Sequence, residues 1–279
     1  METGRCLRYL RAMASILPIG DHLRAWRQRR RLSQLDLALE AEISTKHLSF
    51  LETGRSQPSR DMVLKLAEQL EIPLRERNVL LVAAGYAPVF PERPLADPAM
   101  QPARKAVDLV LKGHEPYPAI AIDRHWTLVA HNAAVPPLLS VADPSLLRPP
   151  LNVLRLSLHP KGLAPRIANL AEWRAHLLAR LRQQIDVTAD AVLTKLFEEL
   201  AAYPGLDGAR SPRTNVNDEY AGVVVPLQLA TDAGTLSLFS TTTIFGTPVD
   251  VTLSELAIES FFPADAATAD MLRGVKPGV

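Results

Sequence analysis

Leu32-Ser33-Gln34-Leu35-Asp36-Leu37-Ala38-Leu39-Glu40-Ala41-Glu42-Ile43-Ser44-Thr45-Lys46-His47-Leu48-Ser49-Phe50-Leu51-Glu52-Thr53-Gly54 reads as two short helices joined by a tight turn. Leu37, Ala38, Ala41, Ile43, Leu48 and Leu51 recur at the spacing that lets the two helices pack on each other, and the small Ala38 permits close approach. Ser33 and Ser44 stand where helix N-caps are needed, because a serine hydroxyl accepts from the otherwise unpaired N–H groups of a first turn. Gly54 stands just past the second helix, where a left-handed residue closes the last turn.

Working outward, the same periodicity predicts five helices, over 20–30, 34–41, 45–51, 60–70 and 74–84, with Ser59 as a third cap and Gly85 as a terminal glycine. Prolines at 88, 91, 94, 98 and 102 are too dense for a helix or a central strand, so 86–104 is expected to be a stiff linker between an N-terminal domain, 19–85, and a second, 105–279. Residues 1–18 are expected to be a disordered leader, with Met13 an alternative start. In the second domain, strands are expected at 119–123 and 127–130 about the turn Asp123-Arg124-His125, then helices at 133–140, 163–184 and 189–203. The β-branched and aromatic runs 222–230, 235–245 and 249–261 complete an antiparallel meander. The fold class is therefore α+β: an all-α five-helix domain followed by an α+β domain with an antiparallel sheet.

Composition narrows the function classes. Residues 1–85 carry 14 Lys+Arg against 10 Asp+Glu, a net of +4, whereas the remainder carries 17 against 20, a net of −3. The basic end is thus the N-terminal one, as a nucleic-acid site requires. The single cysteine, Cys6, excludes an internal disulfide and argues against a cysteine-ligated zinc site, which fits the reducing cytoplasm. Neither a signal peptide nor a run of about twenty apolar residues occurs, so no membrane partner is expected. The seven histidines show no metal-ligand pairing, and no nucleophile elbow, phosphate loop or zinc-protease pattern occurs, so an enzyme is not expected and no cofactor is called for.

Residues 32–54 resemble the repressor-type (XRE or Cro-like) helix-turn-helix family. The resemblance implies a domain whose third helix enters the major groove of double-stranded DNA with Thr45, Lys46, Ser49 and Phe50 toward base edges. Lys46 can donate to guanine, Thr45 and Ser49 can donate or accept, and Phe50 can touch a thymine methyl. Gln34 resembles the family's backbone-clamping glutamine at a helix N-terminus, where a phosphate is favoured. Arg55 and Ser56 match positions that touch phosphates; Ser44 completes the DNA-facing set, and Arg24 and Arg31 qualify by charge alone. Glu42 departs from the family, which has glycine in the turn; a left-handed non-glycine residue costs roughly 1 kcal/mol.

Residues 105–273 resemble the MmyB-like ligand-binding domain, a PAS-like fold, through His114-Glu115-Pro116-Tyr117-Pro118-Ala119, Trp126-Thr127-Leu128-Val129-Ala130-His131-Asn132, Glu172-Trp173-Arg174 and Pro263-Ala264-Asp265. That resemblance implies a pocket between sheet and helices, with fatty acids among its ligands and a regulator that senses them. On a helical wheel over 163–184, Ile167, Leu170, Leu177, Leu178 and Leu181 share a face with Arg174 at its centre. Three roles are open to Arg174: a bidentate anchor for a ligand carboxylate, a partner for Asp123 or Glu172, or a stem whose guanidinium reaches the surface. Trp126 and Trp173 are expected in the core or pocket wall. Asn132 is within reach of a ligand or caps the following helix, and two hydroxyls of Ser240-Thr241-Thr242-Thr243 are able to face inward. Homodimerisation is expected, since two half-sites bind together more tightly than one. The competing reading is a second domain that only dimerises or recruits a protein partner, without a ligand.

Overall fold

The structure is a computed structural model and describes residues 17–204, 224–246 and 248–274. Most of the expected leader, Cys6, Met13 and the start of the strand expected at 222–230 lie outside the described residues. The chain forms two compact units, a first running to Glu92, which also includes Val249–Val251, and a second from Arg93 onward.

The first unit is built of α1 (Ile19–Arg29), α2 (Gln34–Glu40), α3 (Thr45–Glu52), α4 (Arg60–Gln69) and α5 (Leu74–Ala83). Each predicted helix is present to within about one residue at either end, and the caps explain why. Ser33 Oγ accepts from Asp36 N–H at 3.1 Å while the Asp36 carboxylate accepts from Ser33 N–H at 2.9 Å, a reciprocal capping box. Ser44 and Ser59 accept from the third residue on, His47 and Met62. Glu42 takes φ +53° in the turn, as its place requires, and its carboxylate meets Lys65 Nζ at 2.9 Å on the surface. Leu23, Leu37, Leu48, Leu51, Leu66, Leu70, Leu80 and Leu81 fill the core. Of the residues expected as linker, Val89 and Phe90 are tied to α5: both N–H groups donate to Asn78 Oδ1 at 3.1 Å, and Asn78 Nδ2 donates to Phe90 O at 2.7 Å.

The second unit contains α6 (Gln101–Gly113), β1 (Ala119–Ile122), β2 (Leu128–His131), α7 (Val135–Leu139), α8 (Val153–Leu158), α9 (Leu170–Thr188), α10 (Ala191–Ala201), β3 (Leu227–Thr231), β4 (Gly234–Ile244), α11 (Val251–Ser254), β5 (Ala257–Pro263) and α12 (Ala266–Leu272). The strands form one antiparallel sheet in the order β2-β1-β5-β4-β3. One face, through Ala119, Ala121 and Ile258, packs on Val107 and Leu111 of α6. The other, through Ile120, Ile122, Leu227, Leu229, Leu236 and Leu238, packs on Leu154 and Leu156 of α8, Trp173, Leu177 and Leu181 of α9, and Leu193 and Leu196 of α10.

Four expectations are corrected. A helix begins at Gln101, where Pro102 suits a first turn because that N–H has no partner in any case. A further helix, α8, is capped by Asn152, whose Oδ1 accepts from Leu154 and Arg155 N–H. The helix expected over 163–184 is broken: a single 3-10 turn, Ala164–Arg166, precedes a segment that pairs with β3 through Ile167 and Leu229, and Ala168 N–H donates to Gln228 O at 2.8 Å. Lastly, 249–261 is strand only from Ala257, because its partners β1 and β4 end at Ile122 and Ile244, opposite that residue.

Candidate functional site

In the first unit the DNA-facing candidates gather on α3 and around it. Thr45, Ser49 and Phe50 are half-buried and Lys46 is exposed. The Phe50 ring has Lys46 Nζ at 5.7 Å and the Arg55 guanidinium at 5.8 Å from its centroid, so one aromatic side chain gathers two cations. The loop after α3 is held by the Phe50 carbonyl, which accepts from Arg55 N–H at 2.9 Å and Ser56 N–H at 3.2 Å.

Beneath this surface lies a group that sequence reasoning missed. Glu52 is 2% exposed and accepts from Arg27 Nε at 2.6 Å, Arg27 Nη2 at 2.9 Å and Gln34 Nε2 at 2.8 Å. Burial pushes its carboxyl up, but the bonds from Arg27 and Gln34 outweigh that and hold it below the ordinary carboxylate value. The network fixes Gln34 at the N-terminus of α2 and ties three helices together. Arg24 is partly spent on it, donating to Glu52 O at 3.1 Å. A second missed feature is Gly20: a Cβ there would stand 2.6 Å from the carbonyl oxygens of Leu51 and Glu52, so α1 and α3 touch through backbone. Neither signal is visible locally, since each partner lies about thirty residues away.

In the second unit a cavity of about 120 Å³ opens between the sheet and α7, α8 and α9. Its wall is almost wholly carbon, from side chains such as Ile120, Leu138, Leu154, Leu177, Leu229, Leu238 and Phe261. Trp126 and Trp173 both line it. Trp126 is set by the β1–β2 turn, in which Asp123 Oδ1 accepts from His125 and Thr127 N–H at 2.8 Å, and it takes φ +65°. Its Nε1–H donates to Gln184 Oε1 at 2.8 Å, while Trp173 Nε1–H donates to Ser157 Oγ at 3.0 Å.

The charged group at the cavity is Arg180 rather than Arg174. Arg174, half-buried, points its Nη2 at the last carbonyls of α10, Leu200 at 3.1 Å and Ala201 at 2.8 Å, and is not among the lining residues. Arg180 donates to both oxygens of Glu259, Nη2 to Oε1 at 2.7 Å and Nη1 to Oε2 at 3.3 Å, and its guanidinium lies 5.0 Å from the Trp126 ring centroid. Thr242, directly opposite Glu259 in the sheet, donates its hydroxyl to Oε1 at 2.8 Å. Ser240 and Thr242 are thus the two inward members of the threonine-rich run, Ser240 in the wall and Thr242 on the acid. Burial, with the nearby Arg180 adding to it, lowers the pKa of His176, one turn earlier on α9. Asn132 is spent on structure: Oδ1 accepts from Ala119 N–H, and Nδ2 donates to Tyr117 O at 2.7 Å and Leu111 O at 3.2 Å. Leu170 and Leu178 pack on the core outside the cavity wall, whereas Leu177 is in it.

Among the described residues, no cluster of metal-ligating side chains occurs and no helix is long and apolar enough to cross a membrane. A helix-turn-helix family model matches residues 23–77, which span α2 and α3. The chain is also similar to the uncharacterized HTH-type transcriptional regulator RghRB of Bacillus subtilis (strain 168), at 37% identity over 76 residues, 27% of this chain and 52% of that protein. The match therefore spans about half the length of that relative. The model described as the MmyB-like transcription regulator ligand binding domain matches residues 103–274, well over half of the chain, and its span contains the sheet, the cavity and the Arg180–Glu259 pair. A DNA-binding type of head and a ligand-binding type of body are thus carried on one chain, and the protein belongs to the family of transcription regulators with an MmyB-like ligand binding domain.

Proposed function

We propose that this regulator binds DNA sequence-specifically through the major groove and that its second unit, a PAS-like sensor, takes up a small apolar ligand with a chain of the fatty-acyl kind. The observation that carries the ligand reading is the cavity itself: about 120 Å³ lined almost entirely by carbon between sheet and helices. A dry apolar cavity of roughly 150 Å³ takes up a benzene-sized molecule, and each buried methylene contributes about 0.8 kcal/mol. The strand order β2-β1-β5-β4-β3 supports the PAS-like reading.

On the DNA side, Thr45, Lys46, Ser49 and Phe50 read base edges, while Gln34, Ser44, Arg55 and Ser56 hold the backbone. Gln34 suits its part because Glu52 fixes its amide before DNA arrives. Two chains act as a homodimer on half-sites about 34 Å apart, in the cytoplasm. The ligand regulates by shifting a population, which requires that it bind the DNA-competent and the DNA-incompetent states with different affinities.

Native mass spectrometry of the purified chain, with and without DNA from its own upstream region, tests the whole. The expected result is a dimer that binds the DNA and carries a lipid-sized adduct. A protein that binds DNA but stays empty, even when offered medium-chain lipids, would leave the second unit as a dimerisation or recruitment module.

A further inference from the structure

The cavity's polar corner constrains the end group of whatever fills it. Among the lining residues Arg180 is the one cation and Glu259 the one anion, and they are already matched in a two-pronged pair at 2.7 and 3.3 Å. Glu259 is 3% exposed, Thr242 occupies one of its oxygens, and the Trp126 ring lies 5.0 Å from the guanidinium. The cluster is neutral as a whole and shows the cavity almost no polar surface.

A ligand carboxylate entering here would shed its water, meet the like charge of Glu259 on the same guanidinium, and find no unmatched cation in the wall; an unpaired charge in such surroundings is strongly disfavoured. Displacing Glu259 would only transfer the problem, leaving a buried carboxylate without its partner. An uncharged oxygen carries neither penalty. Arg180 has five N–H groups, of which Glu259 and Thr242 take three, so a hydroxyl or carbonyl oxygen is able to accept from the remainder.

We infer that the Arg180–Glu259–Thr242 cluster makes the cavity select an uncharged ligand, an aliphatic chain ending in a hydroxyl or an ester carbonyl, and reject the corresponding free acid. This rests on the ligand reading proposed above and specifies its chemistry. Glu259 is the specificity-determining residue, acting by holding the charge of Arg180 in reserve.

The test is isothermal titration of the full-length protein with octan-1-ol, methyl octanoate and octanoate at about pH 7.5, where the acid is ionised. The alcohol or the ester should bind at least about tenfold more tightly than octanoate, a difference of about 1.4 kcal/mol. In E259Q the charge of Arg180 is released while the side-chain shape is kept, and octanoate should become the tightest ligand of the three. Octanoate binding wild type as tightly as the neutral pair would overturn the inference, and that comparison needs no variant, so it stands even where E259Q does not fold. An E259Q protein that folds and retains the neutral preference would also overturn it. If none of the three binds, the ligand reading itself fails, and this inference with it.

Discussion

Replacing Gly20 by alanine should destabilise the helical unit, although helix propensity alone says the opposite. Gly20 lies in the first turn of α1, and in a helix interior alanine is better than glycine by roughly 1 kcal/mol. Against that gain stands the new Cβ, 2.6 Å from the carbonyl oxygens of Leu51 and Glu52 and 2.8 Å from the Glu52 carbonyl carbon. These are backbone atoms at the end of α3, so no rotamer change relieves the clash and α1 must move off α3. Overpacking of this kind costs about 1–3 kcal/mol, occasionally more. The net expectation is a loss of about 1–2 kcal/mol, or roughly 5–15 °C in the transition of a unit this size. Scanning calorimetry of the full chain reads it, and Gly113→Ala provides the matched control. Gly113 is the last residue of α6, exposed, with nothing within 4 Å of an added Cβ, so there alanine should be neutral or stabilising by up to about 0.5 kcal/mol. Because α3 carries the candidate base-reading residues, Gly20→Ala should weaken DNA binding as well. A Gly20→Ala protein that melts at or above the wild-type temperature would refute the backbone contact and the packing of α1 on α3.

Three further outcomes are expected. Lys46→Ala should lose about 1–3 kcal/mol of discrimination at a single base pair in a binding-site scan, whereas equal weakening on every sequence would make Lys46 a phosphate contact. Arg27→Met leaves the buried Glu52 carboxylate to Gln34 and Arg24; removing one partner of a buried pair costs about 3–5 kcal/mol, and with two partners left about 2–3 is expected in calorimetry, a loss under about 1 refuting the role. The same group gives a pH dependence of known sign. The folded pKa of Glu52 lies below its ordinary 4.5, so its contribution is present above that value and disappears as pH falls through the folded one; wild type should hold its melting temperature down to about pH 5 and lose it below, and Arg27→Met should begin to lose it at a higher pH. Arg174→Leu should cost roughly 1 kcal/mol by freeing the Leu200 and Ala201 carbonyls, and should leave the order of octan-1-ol and octanoate unchanged; a reversed order would return Arg174 to the ligand.

The first unit was legible because its signals are local. A serine accepts from an N–H three residues on, a glycine closes its own turn, and the apolar period needs no partner to be recognised, so the helices ending in Gly54 and Gly85 lie where the sequence puts them. The second unit was legible in its sheet for a similar reason: Asp123 organises the β1–β2 turn through two N–H groups within four residues. What could not be read locally was α6, hidden behind the prolines that also suit a helix's first turn, and the break before α9, which exists because Ile167 and Ala168 join β3 some sixty residues later.

The arginine at the pocket shows how a small error in a helical face changes the chemistry. At about 100° per residue, the residues of α9 that the structure buries, Trp173, Leu177 and Leu181, define a face with Arg174 about 60° to one side and Arg180 about 60° to the other. Counting Ile167 and Leu178 and omitting Trp173 turns that face toward Arg174 and makes it the central residue. Ile167 is outside the helix and Leu178 is off the cavity wall, so neither belongs in the count. The correct face has one arginine turned to the end of α10 and the other to the sheet, and only the sheet offers a carboxylate. Glu259 reads in sequence as one polar residue in an apolar strand, and its meaning depends on Thr242 across the sheet and Arg180 on a helix seventy-nine residues away. Glu52 is the same case in the first unit, an acid at a helix end whose partners Arg27 and Gln34 come from two other helices. In both units a buried carboxylate holds a polar side chain at the edge of the candidate site: Gln34 where a phosphate would lie, and Arg180 where a ligand would end. A substitution at either acid should therefore change what the site selects, and not only how stable the unit is.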